Sequence, residues 1–361
     1  MATPYHRLFG LRSLNGMVRA FDKETRLNTM FQDLFREKGR QMETEGTDET
    51  IEWDETQLSR SLAPIVGRDS PHPMRQNTVT INRTSSVAHI KEGKFIHAHK
   101  LYGERGPGEL KANAELFVDL QIRDLVKRAK NTIEYLSVNT LNGTVTVNPT
   151  TVPGSKVTFT IAYAPNTYTA TNSWATLATR ISSQEIPALK QDHLQASGLL
   201  PRRALIGGTI QGNIAGNTEF QNLMRDRLGP EVAQSAGTLF GQALGGFELG
   251  DLTWDVNEAG YVPDGGVFTR FIPATDDLFL LPADEDLPDV LGMALGLGLV
   301  PGNDVGPADM AAELIRPAPQ RGFYSYAVRS LNPLGVWIYV GWVGMPLLVF
   351  PSGLTVADVV P

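Results

Sequence analysis

The sequence predicts an α+β fold in which one long helix lies across a sheet. Two observations support this prediction: an amphipathic helix pattern over residues 109–141, and a mixture of short helices and strands over residues 170–285. Hydrophobic residues make up 42% of the 361-residue chain and charged residues 20%, which is a globular composition. At roughly 100–200 residues per domain, the length predicts about two domains.

The cysteine count and the net charge exclude several classes of protein. Without cysteine the chain has no disulfide, no thiolate metal site and no cysteine nucleophile. The 32 Lys+Arg against 39 Asp+Glu give a formal net charge of −7. This charge argues against a general nucleic-acid coat, because such a surface repels phosphate.

The most apolar stretch, Leu334–Phe350, predicts buried β-structure rather than contact with a membrane. It lacks charged residues, but it contains Gly and Pro and is rich in Val, Ile, Trp and Tyr, which favour strands. The first 16 residues have no apolar core of signal-peptide length, so no secretory leader is expected.

Residues 1–45 are polar and mixed in charge, which indicates an N-terminal arm. Within Glu24–Gln41 the apolar residues recur at helical spacing, namely Leu27, Met30, Phe31, Leu34 and Phe35. Such a helix could pack on its own domain, or it could present an apolar stripe to another copy.

Residues 46–105 alternate in the manner of strands, around Trp53 and Ile96 among others, and predict an extended β-hairpin loop. These strands have few large apolar residues. They bury too little area to offset a backbone entropy cost of ~1–2 kcal/mol per residue, so they are expected to lean on a neighbouring subunit.

The clearest helix prediction covers residues 109–141. Its apolar residues fall near one face, and they are Leu110, Ala114, Phe117, Ile122, Leu125, Ala129, Ile133 and Leu136. Asn142 and Gly143 end the pattern. At ~1.5 Å per residue the helix is about 50 Å long, which suits a spine across a sheet.

Short elements alternate after this helix. Strands are predicted at 144–147, 157–161, 205–208, 251–255, 267–272 and 278–281, and helices at 173–196 and 218–227. Closing strands are predicted at 324–328, 336–340, 347–350 and 356–359. The last 40 or so residues are expected to return to the sheet under the long helix.

No motif predicts catalysis or a cofactor. His97 and His99 would share one face of a strand, as a metal pair requires, but His89 is the nearest third ligand, so solvent-facing histidines are the simpler interpretation. The glycines at 206–212 and 296–302 lack dinucleotide or Walker spacing, and the acidic run at 284–289 lacks that of a calcium loop. An α/β enzyme with its site in 171–290 stays as the alternative from another class.

Several short motifs occur in a characteristic order. The first half contains Phe31-Gln-Asp-Leu34-Phe35, then Thr50-Ile-Glu-Trp-Asp54, then Thr140-Leu-Asn-Gly-Thr-Val-Thr-Val147. The C-terminal third contains Gly260-Tyr-Val-Pro-Asp264, Phe271-Ile-Pro273, Leu280-Leu-Pro282, Arg321-Gly-Phe-Tyr324 and Gly344-Met-Pro-Leu347. This order resembles the major capsid protein E family of tailed, lambda-like bacteriophages over roughly residues 25–361. Residues 85–108 do not show the family's pattern clearly.

The resemblance implies the Hong Kong 97-type capsid fold. Its implied parts are an N-terminal arm (1–45), an extended loop (46–105), a peripheral domain with the spine helix (106–170), an axial domain (171–320) and C-terminal strands returning to the peripheral domain (321–361). The implied function is self-assembly as pentamers and hexamers into an icosahedral phage head that encloses double-stranded DNA.

The resemblance also implies partners and a location. Besides other copies of the chain, the implied partners are a scaffold, a portal and a decoration protein, with no membrane and no sequence-specific contact to DNA. The shell would belong to the virion and assemble in the host cytoplasm. Candidate inter-subunit contacts are Phe31, Phe35, Trp53 and Ile96. Another structural virion protein is the nearer alternative, although a portal should be mostly helical.

Overall fold

A computed structural model describes most of the chain. The described residues are 11–22, 29–43, 50–56, 80–98, 109–148, 152, 155–228, 247–262, 266–272, 277–300 and 318–361.

The fold combines helices with two larger sheets. The helices are α1 (Leu11–Asp22), α2 (Met30–Asp33), α3 (Glu109–Leu141), α4 (Ile186–Ser197), α5 (Gly208–Gly216), α6 (Thr218–Leu228) and α7 (Leu287–Val290). A π-helical turn follows α2 at Leu34–Lys38, and another precedes α4 at Ile181–Glu185.

The strands extend from the N-terminal part to the end of the chain. They are β1 (Arg40–Glu43), β2 (Thr50–Thr56), β3 (Thr80–Ser86), β4 (Ala88–His97), β5 (Thr144–Val147), β6 (Phe159–Ala162), β7 (Asn166–Thr169), β8 (Pro201–Ile206), β9 (Phe247–Leu249), β10 (Leu252–Val256), β11 (Gly260–Tyr261), β12 (Thr269–Arg270), β13 (Asp277–Pro282), β14 (Leu291–Leu295), β15 (Leu297–Val300), β16 (Ala318–Leu331), β17 (Leu334–Leu348) and β18 (Thr355–Asp358).

The long helix α3 spans the predicted residues, so this prediction is confirmed. Gly143 follows the helix with a φ of +83°, a left-handed conformation that L side chains rarely adopt. A Cβ at this position would also overlap the ring of Pro165. The glycine therefore lets the chain turn directly from α3 into β5.

The first sheet is built around β17. Its strand order is β1-β14-β17-β16-β15, with β4 also paired to β17. One edge of β17 pairs antiparallel with β16, while the other edge pairs antiparallel with β4 over residues 335–344 and with β14 over residues 344–348. One strand thus joins an early strand of the chain to two late ones, and α3 packs against it.

The second sheet has the order β7-β18-β13-β8-β10-β9. Side chains of β13 alternate between two apolar clusters, as the period of two in a strand dictates. Phe279 and Leu281 belong to the cluster that contains α3 and the first sheet, whereas Leu278 and Leu280 belong to a separate cluster around Trp254. This sheet is therefore covered on both faces.

Sheet membership cuts across the predicted parts of the chain. β14 and β15 fall within the predicted axial range 171–320, yet they pair in the first sheet. The predicted C-terminal unit 321–361 is likewise divided, because β18 pairs with β13 and β7 of the second sheet. Strand pairing joins segments that are distant in sequence, so a linear boundary cannot describe it.

Two predicted helices are shorter in the structure. Residues 173–196 contain turns before the π-helical turn at Ile181–Glu185, and α4 begins only at Ile186. Within Glu24–Gln41, residues 24–28 lie outside the described residues, helical structure covers 30–38, and β1 begins at Arg40. No helix among the described residues is both long and apolar enough to cross a membrane.

Candidate assembly surfaces

The four predicted inter-subunit contacts are buried within the single chain. Phe31 and Phe35 are 0% exposed, Ile96 is 1% exposed and Trp53 is 5% exposed. All four belong to the apolar cluster around α3 and the first sheet. They offer little surface to another copy in this conformation, so their role between subunits stays a prediction.

A buried carboxylate attaches the segment around α2 to the long helix. The two carboxylate oxygens of Glu134, on α3, accept hydrogen bonds from the backbone N–H groups of Phe31 at 2.9 Å and Gln32 at 2.7 Å. These N–H groups lie in the first turn of α2, where they have no partner within the helix. Burial raises the pKa of Glu134 to about 8, although the two hydrogen bonds lower it.

A buried lysine attaches α1 to the same helix. Lys130 is 3% exposed, and its Nζ donates to the backbone carbonyl oxygens of Phe21 and Asp22 at the end of α1. The Asp22 carboxylate lies 3.7 Å from this Nζ and 2.7 Å from a guanidinium nitrogen of Arg36. Burial lowers the pKa of Lys130, against the opposing effect of Asp22. The N-terminal segment is thus held by polar contacts as well as by its apolar side chains.

One face of the first sheet carries a row of aromatic rings, which we call the aromatic strip: Phe95, Trp337, Tyr339 and Tyr326. The ring centroids of Phe95 and Trp337 are 5.0 Å apart, those of Trp337 and Tyr339 are 6.1 Å apart, and those of Tyr339 and Tyr326 are 4.8 Å apart. These rings span β4, β17 and β16.

The aromatic strip faces away from α3. On β4, Glu92 and Lys94 form ion pairs with Arg128 and Asp124 of α3, so both side chains lie on the face of the sheet that α3 covers. Because side chains alternate along a strand, Phe95, which follows Lys94, points to the opposite face. Trp337 is 37% exposed, so at least part of this face is open.

Large apolar side chains are also exposed near the tips of two hairpins. Near the β16–β17 turn, Leu331 is 74% exposed and Leu334 is 63% exposed. On the segment that joins β11 and β12, Val262, Val267 and Phe268 are 60%, 84% and 54% exposed. Exposed apolar groups of this kind mark interaction sites when they are grouped.

A pocket of about 300 Å³ lies between β3 and β6, and we call it the β3–β6 pocket. It is lined by Trp53 of β2, by Arg83 and Thr84 of β3, and by Phe159–Ala162 of β6. The indole of Trp53 also packs on Tyr163, with ring centroids 6.4 Å apart. The Nε1 atom of Trp53 is buried and has no hydrogen-bond acceptor among the described residues.

The predicted metal pair is not assembled in the described part of the chain. His97 lies exposed at the end of β4 and its ring meets Phe95 edge-on, while His99 falls outside the described residues. Among the residues that the structure describes, no group of three or more His, Cys, Asp or Glu side chains could hold a metal ion. In the acidic run, the carboxylate of Asp284 forms ion pairs with Lys38 at 2.7 Å and Arg203 at 3.5 Å, which is a structural role.

The range proposed for an enzyme site, 171–290, contains an open pocket of about 400 Å³ beside α6. Its carboxylate, Glu219, accepts hydrogen bonds from the backbone N–H groups of Ser182 at 2.8 Å and Ser183 at 3.4 Å. This carboxylate therefore supports the first turn of a helical segment, and the pocket does not favour the enzyme alternative.

Sequence reasoning missed the exposed hairpin tips. A signal was present, because apolar residues flank turn-forming residues in both places: Val262 and Val267 enclose Pro263-Asp-Gly-Gly266, and Leu331 and Leu334 enclose Asn332-Pro333. An apolar residue that lies next to a turn and remains exposed is a candidate contact for another molecule.

Solved structures with a similar architecture include phage capsid proteins. The chain is similar to the putative capsid protein of a prophage from E. coli CFT073, with a TM-score of 0.62 at 14% identity over 97% of this chain and 99% of that one. It is also similar to the mature capsid of bacteriophage PhiM1, with a TM-score of 0.51 at 8% identity over 93% and 89% of the two chains. The likeness shows the fold, which is the Hong Kong 97-type capsid fold.

The family follows from the sequence. The pattern of the family described as phage major capsid protein E matches residues 13–287, which is more than half of the chain. The chain therefore belongs to the phage major capsid protein E family, and it is a phage capsid shell protein. Both the predicted family and the predicted fold are confirmed. A search among curated proteins found no match.

Proposed function

We propose that copies of this chain form pentamers and hexamers that join into an icosahedral phage head around double-stranded DNA. The observation that carries the proposal is that a member of this capsid family exposes large apolar side chains at two hairpin tips, including Phe268 and Leu331. Copies that bury such side chains against one another gain about 25 cal/mol per Å² of apolar area.

The two sheets define the parts of the subunit in this proposal. The peripheral domain consists of α3 and the first sheet, and the axial domain consists of the second sheet with α4, α5 and α6. This division replaces the linear ranges 106–170, 171–320 and 321–361. Residues 1–45 form the arm, which Glu134 and Lys130 attach to the peripheral domain.

The extended loop within residues 46–105 reaches a neighbouring subunit through its outer part. Among the described strands, β2 and β3 pair only with each other, whereas β4 belongs to the first sheet. The outer part is therefore the stretch from β2 to β3, and the aromatic strip of the neighbour is the surface that we propose it covers.

The charge of the chain suits a container rather than a DNA ligand. Two arginines of α3 are already paired, since Arg123 lies 3.9 Å from Asp119 and Arg128 lies 2.9 Å from Glu92. With a net charge of −7, these copies would enclose DNA without gripping it.

Electron microscopy of the purified protein, expressed without other phage proteins, tests the proposal. Pentamers, hexamers or closed shells are expected, because the subunit exposes apolar surface that only other copies would cover. A stable monomer under every assembly condition, as judged by light scattering, would overturn it.

The loop is tested by replacing residues 57–79 with a short Gly-Ser turn that leaves β2 and β3 in place. The variant should fold, because it retains β2, β3 and the described strands of both larger sheets, but shells should be lost. Deletion of residues 88–97 is the contrasting variant, because it removes β4 and the buried Ile96 from the first sheet. Normal shells from the shortened loop would contradict the proposed role.

Assembly would take place in the host cytoplasm, with a scaffold, a portal and a decoration protein as partners of the shell. We also propose that the chain is not an enzyme. The cysteine-free sequence supports a shell that is held by non-covalent contacts among many copies.

A further inference from the structure

We propose that Phe268 and Val267 of one copy insert into the β3–β6 pocket of the next copy around each pentamer or hexamer. This inference rests on the proposed assembly into rings, and it names a contact that closes them. Its basis is a pair of features on the same chain: an exposed apolar segment and a pocket that is lined in part by aromatic side chains.

Ring symmetry requires such a pair. In a ring of five or six identical copies, each contact joins one surface to a different surface on the next copy, because self-complementary contacts produce only twofold pairs. A chain that builds such a ring must therefore carry two unlike surfaces that fit each other. Phe268 and Val267 supply the projecting surface, and the β3–β6 pocket supplies the receiving one.

The projection has a firm base. Arg270, which ends β12, forms an ion pair with Glu258 at 2.7 Å. Tyr261, in β11, stacks on Phe271 with ring centroids 5.6 Å apart and meets Tyr135 of α3 edge-on at the same distance. The segment that carries Phe268 is thus attached to an ordered base, and the Phe268 ring lies beside Gly260 of β11, which limits the entropy lost on binding.

The receiving side combines apolar and polar side chains. The apolar ones are Trp53, Phe159, Ile161 and Ala162, and the polar ones are Arg83, Thr84 and Thr160. The apolar side chains can pack against an inserted ring, and the polar ones can form hydrogen bonds with the backbone of the inserted segment. The volume of about 300 Å³ has room for one aromatic and one small apolar side chain.

The tip of β16–β17 is the competing projection, and the chemistry favours Phe268. Interface cores are enriched in aromatic residues, including Phe, whereas leucine is under-represented among binding hot spots. The β16–β17 tip presents Leu331 and Leu334, whereas the segment before β12 presents the aromatic ring of Phe268. Phe268 is therefore the better anchor for this pocket.

Cysteine crosslinking tests the contact against a background that has no other thiol. Val267→Cys and Ala162→Cys place one thiol on the projection and one at the pocket, and they keep the Phe268 ring. Both positions are exposed, so neither change disturbs the core. Disulfides form only when the Cα atoms lie within about 4.4–6.8 Å. The protein carrying both substitutions should give covalent rings of up to five and six copies on a non-reducing gel.

Two controls make the result specific. A mixture of the two single variants should give covalent dimers only, which shows that the bond joins different copies. Replacing Val267→Cys by Leu331→Cys should abolish the rings. A third variant, Phe268→Ser, should lower the yield of shells at least tenfold, while Leu200→Ser, at a position 58% exposed on another surface, should leave it unchanged.

The outcomes separate this inference from the proposed function. Shells that form normally but give no crosslink between positions 267 and 162 would overturn the inference and leave the proposed function intact. Crosslinks through position 331 instead would overturn the inference in favour of the other tip. If the unsubstituted protein forms no oligomer, both are overturned.

Discussion

Glu134 is a carboxyl group whose protonation is coupled to the docking of α2. Its ordinary pKa of 4.5 rises to about 8, because burial disfavours the charge and Asp33 adds repulsion, while the N–H groups of Phe31 and Gln32 oppose this rise. The folded state therefore binds the proton more tightly than the unfolded chain between these two pH values. The contribution of Glu134 to the unfolding free energy is therefore fully present below pH 4.5, and it is lost as the pH rises to about 8.

Substitution of Glu134→Gln should remove this dependence in the unassembled protein. Each pKa unit corresponds to about 1.36 kcal/mol, so the unsubstituted protein should lose on the order of a few kcal/mol of unfolding free energy between pH 5 and pH 8 relative to the variant. Urea unfolding at several pH values measures this loss of unfolding free energy. The same dependence of the unfolding free energy on pH in both proteins would show that Glu134 does not titrate between pH 5 and pH 8.

Gly341 gives a second prediction at the scale of single residues. A Cβ at this position would overlap the buried ring of Tyr324, which lies across β17. We expect Gly341→Ala to lower the unfolding free energy by about 1–3 kcal/mol, the usual cost of overpacking. Gly212→Ala is the matched control, because a Cβ there meets nothing within 4 Å and helical alanine should add roughly 0.5–1 kcal/mol. Equal effects in thermal unfolding would contradict this packing argument.

Elements with a strong local pattern could be predicted from the sequence. The bounds of α3 follow from its apolar face and from Gly143, and β2 and β5 follow from alternation. The apolar stretch 334–350 is predicted as buried β-structure with strands at 336–340 and 347–350, and in the structure β17 runs without a break over Leu334–Leu348. Gly341 and Gly344 lie within this strand and leave room for the rings of Tyr324 and Trp342.

The docking of α1 on α3 gives a prediction at the scale of elements. Lys130→Met should lower the unfolding free energy by about 1–3 kcal/mol, because the carbonyl oxygens at the end of α1 lose a buried donor. The same change at the exposed Lys127 of α3 is the matched control and should have little effect. Limited proteolysis followed by mass spectrometry should show earlier cleavage near α1 in the first variant. Equal resistance of the two variants to the protease would contradict a stabilising contact between Lys130 and the end of α1.

The pairing of distant elements could not be predicted from local patterns. Nothing in the sequence of β18 distinguishes a place beside β13 from a place under α3, because both positions suit a short apolar strand. The burial of Ile96 likewise depends on β17, which lies far along the chain. For the candidate site, the sequence identifies large apolar residues but not how exposed their side chains are. Trp53 and Phe35 are predicted at an interface, whereas the structure buries both side chains within the chain.

At the scale of the whole molecule, the net charge of −7 predicts how assembly responds to salt. Like-charged copies repel one another, and raising the salt from 0.1 M to 1 M shortens the Debye length from about 10 Å to about 3 Å. We expect shells to form several-fold faster at the higher salt, as followed by light scattering. Slower assembly at high salt would show that attractive ion pairs dominate the contacts.

A charge variant serves as the control for this salt effect. Lys127→Glu at an exposed position changes the net charge from −7 to −9, since one positive charge is replaced by a negative one. It should assemble more slowly than the unsubstituted protein at 0.1 M salt and at a similar rate at 1 M salt. A difference that persists at 1 M would point to a specific contact of Lys127 instead.

The central place of β17 affects the order of events during synthesis of the subunit. Ala88 of β4 pairs with Gly344, and Arg40 of β1 pairs with Gly292 of β14, which in turn needs β17. A growing chain therefore cannot complete its first sheet until β17 has been translated through Leu348, and such distant pairings fold slowly. We expect nascent subunits that are shorter than this to lack a finished docking surface, so that shells assemble from longer chains.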